Sequence, residues 1–521
     1  MSFVTDLDTP LVQLSLHDSF TLRDACNGTS ILGATGSGKT SGPGATLAGA
    51  FLRAGMGGLV LTAKPEEVSL WLSYARQHGR EKSVVVFDEH RQFNFIAAEL
   101  ARQGPAGIGN VTECLMRVLE AADSTTGNTG ASSDQFWPQA MRQALNHCVP
   151  VIHAAYGNVT VGNIIDFVVT APAKASQYND PKHDSYAAGT LRKMVKNPAV
   201  AMDGETQKAM LQFWFEQWPA IPNNTRGNIV ISLSTKLDRF KHGRLKNCFC
   251  DKTDIVPEMT FHGAIIIMNM PVLTWNEDGI IGQQLFKYMW QRTAESRNGL
   301  EASQRECPIF IWADEAQYFV SVKDDEFFSV CRGMKVAPVF LSQSLPTYYA
   351  RLGKDKTDAV DGLIGKFNTQ VFHLNACPRT NEFASKMIGR ALQRRKSESQ
   401  SRGTSSSRGM NAGANTSAGH SSGFGSSSGD KSHSFSHNSG SNSSSGNSWG
   451  DNVGQGTSEN SSAGYSEQND FLVEPRFFAS GLKSGGPANN GLVTALWFKA
   501  GGNFRDADGG NFLIPTFRQQ P

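Results

Sequence analysis

The apolar positions of the chain fall into two patterns, short continuous runs and longer stretches with helical spacing. Short continuous runs predict buried β-strands, because a strand covered on both faces is apolar along its whole length. They lie at 29–32, 58–62, 83–87, 228–233, 263–268, 309–313, 338–341 and 369–374. Residues 41–53 and 66–77 have helical spacing between the first three runs. Strands that alternate with helices predict an α/β domain with a mostly parallel sheet and helices on both faces.

The stretch from about residue 105 to residue 224 is predominantly helical in pattern. Segments 111–122, 136–155 and 207–218 have helical spacing, and strand-like runs are sparse between them. We therefore expect an inserted all-α subdomain in this part of the chain.

A tract of serine and glycine interrupts the second half of the chain. These two residue types make up more than half of residues 401–450, and apolar side chains are few. Such a segment cannot bury enough apolar surface to offset the entropy lost on ordering, so residues 399–466 are predicted to form a disordered loop. Ordered patterns return at 471–482 and 491–499, which places the tract inside the fold as part of a long hairpin.

Composition narrows the classes of protein only moderately. The 521 residues carry a formal net charge of +2, which neither requires nor excludes a nucleic-acid partner. No apolar stretch approaches the ~20 residues of a membrane-spanning helix, so we expect a soluble, cytoplasmic protein that a partner can recruit to the inner face of the membrane. The eight cysteines include no CxxC pair, and we interpret them as reduced structural thiols.

A glycine-rich segment follows the first predicted strand and fits the phosphate-binding pattern GxxxxGK[ST] at every fixed position. Its residues are Gly33, Ala34, Thr35, Gly36, Ser37, Gly38, Lys39 and Thr40. In such a loop, backbone N–H groups curl around the phosphates, Lys39 reaches the β- and γ-phosphates, and Thr40 supplies a hydroxyl to Mg²⁺. The sequence therefore predicts ATP and Mg²⁺ as cofactors; a chance glycine-rich turn is the alternative.

Two acidic residues end the apolar run 309–313. Ligands of parallel sheets bind at the carboxyl ends of the strands, so Asp314 and Glu315 are expected near the glycine-rich loop. We assign Asp314 to Mg²⁺ binding and Glu315 to the general base that polarises the attacking water. The acidic pair alone is a weak signal, but together with the loop it predicts a P-loop ATPase that hydrolyses ATP.

Two further residues are candidates for catalysis. Gln343 follows the run 338–341, a place suited to sensing the γ-phosphate or orienting the water; a polar strand cap is the alternative. Arg332 lies between the acidic pair and Gln343 and is a candidate arginine finger that acts in trans on a neighbouring subunit. A solvated surface arginine is the alternative.

Several segments together resemble the type IV coupling proteins of conjugation and type IV secretion, the TraG/TraD type. Besides the glycine-rich loop, the similar segments are 59–66, 93–96, Phe136 with Trp137, 341–344 and 387–389. Their order and spacing make the assignment specific, because the loop and the acidic pair are common to P-loop ATPases. The chain departs from the family at Thr62, where the family has aspartate, and about 28 residues before the first strand are too few for the family's membrane-embedded N-terminal part.

The resemblance implies a RecA-like motor that assembles as a homo-hexameric ring, binds DNA, and works with a relaxase or other secreted substrate and with secretion-channel proteins. The predicted nucleotide-binding domain comprises residues 1–104, 225–398 and 467–521, with the all-α subdomain at 105–224 and the disordered loop at 399–466. Two basic segments, 236–244 and 390–396, are candidates for neutralising DNA phosphates, although a charge run is usually a solvated face.

The leading hypothesis is an ATP-driven motor that moves DNA or a DNA–protein complex toward a conjugation or secretion channel, with hydrolysis stimulated by DNA. One alternative is a soluble DNA translocase unrelated to secretion. Another is a nucleotide-controlled docking protein that recruits substrates through the helical region and the Ser/Gly tract and turns over slowly.

Overall fold

The structure is a computed structural model of the chain. It describes residues 3–125, 136–180, 184–301, 305–353, 357–409, 416–429, 432–445 and 452–520. The chain divides into two compact units, the first formed by Met1–Thr380 with Phe478–Pro521 and the second by Asn381–Phe477.

Most strands belong to one large sheet in unit 1. The strands are β1 (Pro10–Gln13), β2 (Ser19–Thr21), β3 (Thr29–Leu32), β4 (Gly57–Leu61), β5 (Val84–Phe87), β6 (Ile265–Met268), β7 (Ile309–Ala313), β8 (Val336–Ser342), β9 (Thr369–Phe372), β10 (Arg390–Gly409), β11 (Thr416–Gly429), β12 (Ser432–Ser445), β13 (Asn452–Phe471), β14 (Leu492–Thr494), β15 (Leu496–Lys499), β16 (Phe512–Leu513) and β17 (Thr516–Arg518). Nine of them form the sheet in the order β16-β15-β9-β3-β8-β7-β4-β6-β5. All neighbours from β9 to β5 are parallel, and β15 runs antiparallel to both β9 and β16. The predicted α/β class with a mostly parallel sheet is confirmed.

The helices lie between these strands along the chain. They are α1 (Leu22–Cys26), α2 (Ala45–Arg53), α3 (Glu66–Gln77), α4 (Phe95–Gln103), α5 (Ile108–Thr125), α6 (Phe136–Tyr156), α7 (Val161–Thr170), α8 (Ser176–Asn179), α9 (Tyr186–Lys196), α10 (Gly204–Gln212), α11 (Trp218–Ala220), α12 (Asn223–Leu237), α13 (Gly243–Phe249), α14 (Val272–Ser296), α15 (Val322–Val330), α16 (Leu345–Leu352), α17 (Thr357–Gly365), α18 (Pro378–Ile388) and α19 (Pro475–Ser480). Between β5 and β6, the described residues form helices α4–α13 and no strand.

The predicted strand at 228–233 is wrong, because these residues lie within α12. Ile229, Leu233 and Leu237 are buried at a spacing of four, whereas Ile231 between them is 62% exposed. One buried face with a four-residue repeat is the pattern of a helix that packs on one side. The run at 228–233 is too short to show this four-residue repeat.

The Ser/Gly tract forms strands in its described residues instead of the predicted disordered loop. β10 pairs antiparallel with β13 and β11 with β12, so the tract is part of a long hairpin, as expected from its position. A sequence with few apolar side chains gives no hydrophobic reason for ordering, but the ladders pair backbone N–H and C=O groups between the strands.

In the part of the chain that the structure describes, no single helix is long and apolar enough to cross a membrane; α6 and α7 meet that test only as a pair, which is bent by 112°.

Candidate nucleotide-binding site

The glycine-rich loop begins where the buried strand β3 ends, at the carboxyl edge of the parallel sheet. β3 pairs on one side with β8, and β8 pairs with β7, so the residues that follow these three strands meet at one edge. The structure therefore brings residues 33–40 together with Asp314, Glu315 and Gln343, as the strand-end rule predicts.

Backbone geometry at two positions explains why the loop needs glycine. Gly36 and Gly38 have φ of 75° and 85°, in the left-handed region that side chains disfavour. At Gly38 a methyl group would also lie 2.7 Å from a methyl of Val493, a fully buried residue of β14. The backbone N–H of Gln520 donates to the Ser41 carbonyl at 2.9 Å, so residues from the C-terminal part of unit 1 pack against the loop and its helix.

The helix after the loop begins with a wide turn. Residues Thr40–Gly44 form a π-helical turn that leads into α2. Pro43 lies inside this turn and has no N–H, and the Gly44 N–H donates to the Lys39 carbonyl five residues earlier at 2.9 Å. The helix predicted at 41–53 is thus present, but its first turn is π-helical and not α-helical.

Thr40 and Asp314, which the sequence predicts to bind the metal, lie in hydrogen-bond contact. The Thr40 hydroxyl donates to Oδ2 of Asp314 at 2.7 Å, and Asp314 is 5% exposed. A hydroxyl and a carboxylate at this separation are oxygen donors of the kind that Mg²⁺ takes, together with phosphate oxygens and water. The loop and this pair therefore fit a nucleotide with Mg²⁺.

Glu315 is held next to the loop lysine in an unusual backbone conformation. Its φ of 52° and ψ of 49° are left-handed, and its side chain is buried. Nε2 of Gln317 donates to Glu315 Oε2 at 2.9 Å, and Nε2 of Gln343 lies 3.3 Å from Oε1. Strain of this kind in a non-glycine residue is maintained by surrounding contacts and occurs often at functional sites.

Two lysines face the Glu315 carboxylate. Nζ of Lys39 lies 4.0 Å from Oε1, and Nζ of Lys64 lies 3.5 Å from the same oxygen. Burial alone would raise the pKa of Glu315, but the amide hydrogen bonds and the two positive charges outweigh it and lower the pKa below its usual value. Glu315 is therefore ionised at neutral pH, which is the state a general base requires.

Several residues that the sequence analysis does not assign to the site lie in it. Lys64 follows the end of β4, and the same strand-end rule that identifies Asp314 would have found it. Asn375 donates from Nδ2 to the Gln343 carbonyl at 2.8 Å, and Gln317 accepts from the Ser342 hydroxyl at 2.6 Å. No sequence motif identifies these two amides, because their position beside the site depends on how two loops pack together.

Two buried ionisable residues also border the site. His373 follows β9 beneath the loop, where a Cβ on Gly33 would approach its Cβ to 2.6 Å. Burial, with the charge of Lys39, lowers the pKa of His373 to about 3, so the ring is neutral. Glu67, in the first turn of α3, is 6% exposed; burial, with the charge of Asp314, raises its pKa to about 8.

Arg332 is not brought to this site within the chain. It lies exposed in the turn before β8, at the amino end of that strand, whereas the loop lies at the carboxyl edge of the sheet. Its action on a neighbouring subunit stays a prediction.

The basic segment at 236–244 is largely compensated by acids. Arg239 pairs with Glu277 and Asp278, Lys241 lies 2.6 Å from Asp166, and Arg244 lies 3.1 Å from Glu89. These pairs reduce the positive potential that the lysines and arginines suggest on their own. In the segment 390–396, Arg390 stacks over Phe471 at 4.3 Å from the ring centre, and the side chains of 394–396 lie outside the described residues.

Thr62, the residue at which the chain departs from the predicted resemblance, has a structural role. Its hydroxyl donates to the Met268 carbonyl at 2.6 Å, and its N–H donates to Oε1 of Gln283 at 2.7 Å. Both bonds are buried and tie β4 to β6 and α14.

Together, the parallel sheet, the loop after β3 and the acidic pair after β7 define a RecA-like P-loop NTPase fold. Residues 308–468 match the family model described as the TraM recognition site of TraD and TraG. The predicted resemblance to TraG/TraD-type coupling proteins is therefore confirmed.

Solved structures of the conjugative coupling protein TrwB share this fold. The unbound bacterial TrwBdeltaN70 is 12% identical, with a TM-score of 0.52, and the match covers 99% of this chain and 90% of that chain. TrwB in complex with the ATP analogue ADPNP (TM-score 0.51) and TrwB in complex with ADP and Mg²⁺ (TM-score 0.50) are each 13% identical with the same coverage. No curated protein matches the chain in sequence.

Proposed function

We propose that this protein is an ATP-hydrolysing motor related to type IV coupling proteins, which moves DNA or a DNA–protein complex toward a conjugation or type IV secretion channel. The observation that carries the proposal is the pairing of Thr40 with Asp314 beside an ionised Glu315. A site built only to hold a nucleotide needs the loop and the metal ligands, but it does not need a buried carboxylate held as a base.

Each predicted site residue has a role that its position supports. Bound ATP with Mg²⁺ supplies the phosphoryl group and the charge that polarises it. Lys39 neutralises phosphate oxygens, Thr40 and Asp314 hold the metal, and residues 33–38 offer backbone N–H groups. Glu315 accepts a proton from the attacking water, and Gln343, hydrogen-bonded to Glu315, orients that water or senses the γ-phosphate.

Resemblance to coupling proteins supports the proposed partners. In this proposal the chain works as a homo-hexamer, with Arg332 reaching the site of a neighbouring subunit. It contacts DNA through the backbone without reading sequence, and it receives a relaxase or another secreted substrate in the cytoplasm, recruited to the inner face of the membrane by a channel protein. Residues 1–104, 225–398 and 467–521 would then form the motor domain, with 105–224 as its all-α subdomain and 399–466 as a loop added to it.

The test is phosphate release by the purified chain, with no DNA, with single-stranded DNA and with double-stranded DNA. We expect DNA to increase the rate, and we expect Lys39→Ala and Glu315→Gln to abolish it. Lys82→Ala, an exposed lysine remote from the loop, is the matched control and should behave as the wild type. Glu315→Gln should still bind ATP, because it removes a base and no phosphate ligand. Phosphate release that persists in Glu315→Gln would contradict the assigned mechanism.

A second candidate function is nucleotide-controlled recruitment of a partner. It is favoured by the description of the family model that matches residues 308–468 as a recognition site. This function predicts tight ATP binding, slow turnover and no response to DNA in the same assay.

A further inference from the structure

Glu67 carries a buried carboxylate oxygen without a partner. Its Oε2 accepts the Ala63 N–H at 2.8 Å, whereas its Oε1 is buried and has no hydrogen-bond partner. Buried polar atoms in folded proteins are satisfied in the great majority of cases, because an unpaired one loses its hydrogen bonds to water without replacement. An orphaned acceptor of this kind indicates a donor that is supplied by something bound.

The unpaired oxygen belongs to a residue beside the metal-binding pair. Glu67 lines the same narrow crevice as Thr40 and Asp314, and the remaining lining includes Trp312 and Tyr74. The negative charge of Asp314 acts on both Glu67 and Tyr74, so these groups lie within electrostatic range of the metal position. A cation bound there would offset that charge and favour the ionised form of the Glu67 carboxyl group.

Neighbouring residues do not offer this acceptor. Glu66 precedes Glu67 in the same helical turn but is exposed, and the Thr62 hydroxyl is already engaged with the Met268 carbonyl. The hydrogen bond from Ala63 holds the Glu67 side chain back toward the end of β4, at the carboxyl edge of the sheet. Helix α3 thus delivers one carboxylate to this edge, and it is Glu67.

We propose that Glu67 is a positioning residue of the metal site, whose Oε1 accepts a hydrogen bond from a water molecule bound to Mg²⁺. Mg²⁺ gives up its waters reluctantly and usually retains several of them in protein sites, so it needs acceptors beyond its direct ligands. Removing such an outer partner typically weakens metal binding 10- to 100-fold. This inference rests on the proposed nucleotide-binding function. It adds to the site a residue that belongs neither to the glycine-rich loop nor to the acidic pair.

The test is calorimetric titration of Mg²⁺ into the chain saturated with ADP. We compare the wild type with Glu67→Gln, which keeps the shape and the acceptor for Ala63 but presents an amide in place of a carboxylate. We expect Mg²⁺ to bind about 10-fold more weakly to Glu67→Gln. ADP affinity measured in EDTA should be unchanged, because Glu67 contacts no phosphate. Glu66→Gln, the exposed neighbour, is the matched control and should retain wild-type Mg²⁺ affinity.

The possible failures are distinguishable. A wild-type chain that binds no ADP would overturn the proposed function, whereas ADP binding with equal Mg²⁺ affinity in the wild type and Glu67→Gln would overturn only this inference. Melting curves check that the variant is folded. If Glu67→Gln unfolds, Glu67→Asp keeps a carboxyl group but withdraws the oxygen by one methylene, and it too should weaken Mg²⁺ binding without changing Mg²⁺-free ADP affinity.

Discussion

Single residues determine the shape of the phosphate-binding loop through two different constraints. Gly36 has a positive φ but open space around its α-carbon, since nothing lies within 4 Å of a Cβ placed there. Gly38 has a positive φ and, in addition, the close contact with Val493. The same residue type is therefore required for backbone conformation at one position and for conformation and packing at the other.

This difference makes a matched pair of substitutions informative. We expect Gly36→Ala to lower the free energy of unfolding by about 1–2 kcal/mol, the cost of a left-handed alanine. Gly38→Ala should lower the free energy of unfolding by about 1–3 kcal/mol more than Gly36→Ala does, because the added methyl overpacks the contact with Val493. Denaturant titration without nucleotide measures both. Val493→Ala in the Gly38→Ala background should recover part of the second loss, and equal losses for the two glycine variants would contradict the packing argument.

Sequence alone locates those site residues that follow strands. Asp314 and Gln343 follow β7 and β8, and the convergence of parallel strand ends places them beside the loop. The unpaired oxygen of Glu67 cannot be predicted, because its burial depends on how α3 packs over the crevice. His373 also follows a strand, but it lies inside the predicted run 369–374, and only the pairing of β9 with β3 brings it beneath Gly33.

At the scale of elements, a buried ion pair fixes the segment that follows the acidic pair. Nζ of Lys287, in α14, donates to both carboxylate oxygens of Asp324, at 2.8 and 2.6 Å, and to the Phe319 carbonyl at 2.6 Å. Both side chains are at most 1% exposed. Asp324 also accepts the Ser321 N–H at 2.8 Å and so caps α15. These bonds anchor the segment that follows Glu315 to helix α14.

Breaking this pair on one side should be costly. We expect Lys287→Met to lower the free energy of unfolding by about 3–5 kcal/mol, because it leaves Asp324 buried and charged without a positively charged partner. The double substitution Lys287→Met with Asp324→Asn should cost less than Lys287→Met alone. Denaturant titration measures both, with Arg76→Met as a control at the exposed pair of Arg76 and Glu81, where we expect at most about 1 kcal/mol. A double variant less stable than the single one would contradict this account.

Elements differ in how well their sequence pattern predicts them. Buried strands such as β3 and β7 are recovered at their observed bounds, because apolar runs between glycine or polar residues have few other interpretations. The run in α12 is misleading, since six residues contain less than two helical turns and cannot reveal the four-residue spacing that continues to Leu237. Longer amphipathic segments such as α3 are recovered at their observed bounds because several turns repeat the pattern.

At the scale of the whole molecule, the hairpin of strands β10–β13, which the Ser/Gly tract forms, belongs to unit 2, whereas the nucleotide site belongs to unit 1. Every pair in its registers joins two strands of unit 2, and the sheet around the glycine-rich loop is built in unit 1. The fold class and the position of this insertion follow from the sequence, whereas its strand pairing does not, because serine and glycine provide no side-chain pattern that sets a register.

The hairpin should therefore be removable without loss of the nucleotide site. Lys396 pairs with Tyr465 in the ladder, so residues 397–464 can be replaced by an Asn-Gly turn. We expect the shortened chain to keep its melting temperature within a few degrees and its affinity for Mg²⁺-ADP. Scanning calorimetry and nucleotide titration measure these two quantities. A large fall in either would show that unit 1 depends on the insertion.

The packing of Val493 against Gly38 has a consequence for synthesis of the protein. The two residues lie at opposite ends of the described chain, and a ribosome adds about 5–20 residues per second, so roughly 20 to 90 s pass between their translation. During that interval the loop emerges without the residue that packs against it. The growing chain thus carries its ATP-binding motif while β14 is still untranslated, and it cannot assemble the complete binding site until β14 has left the ribosome.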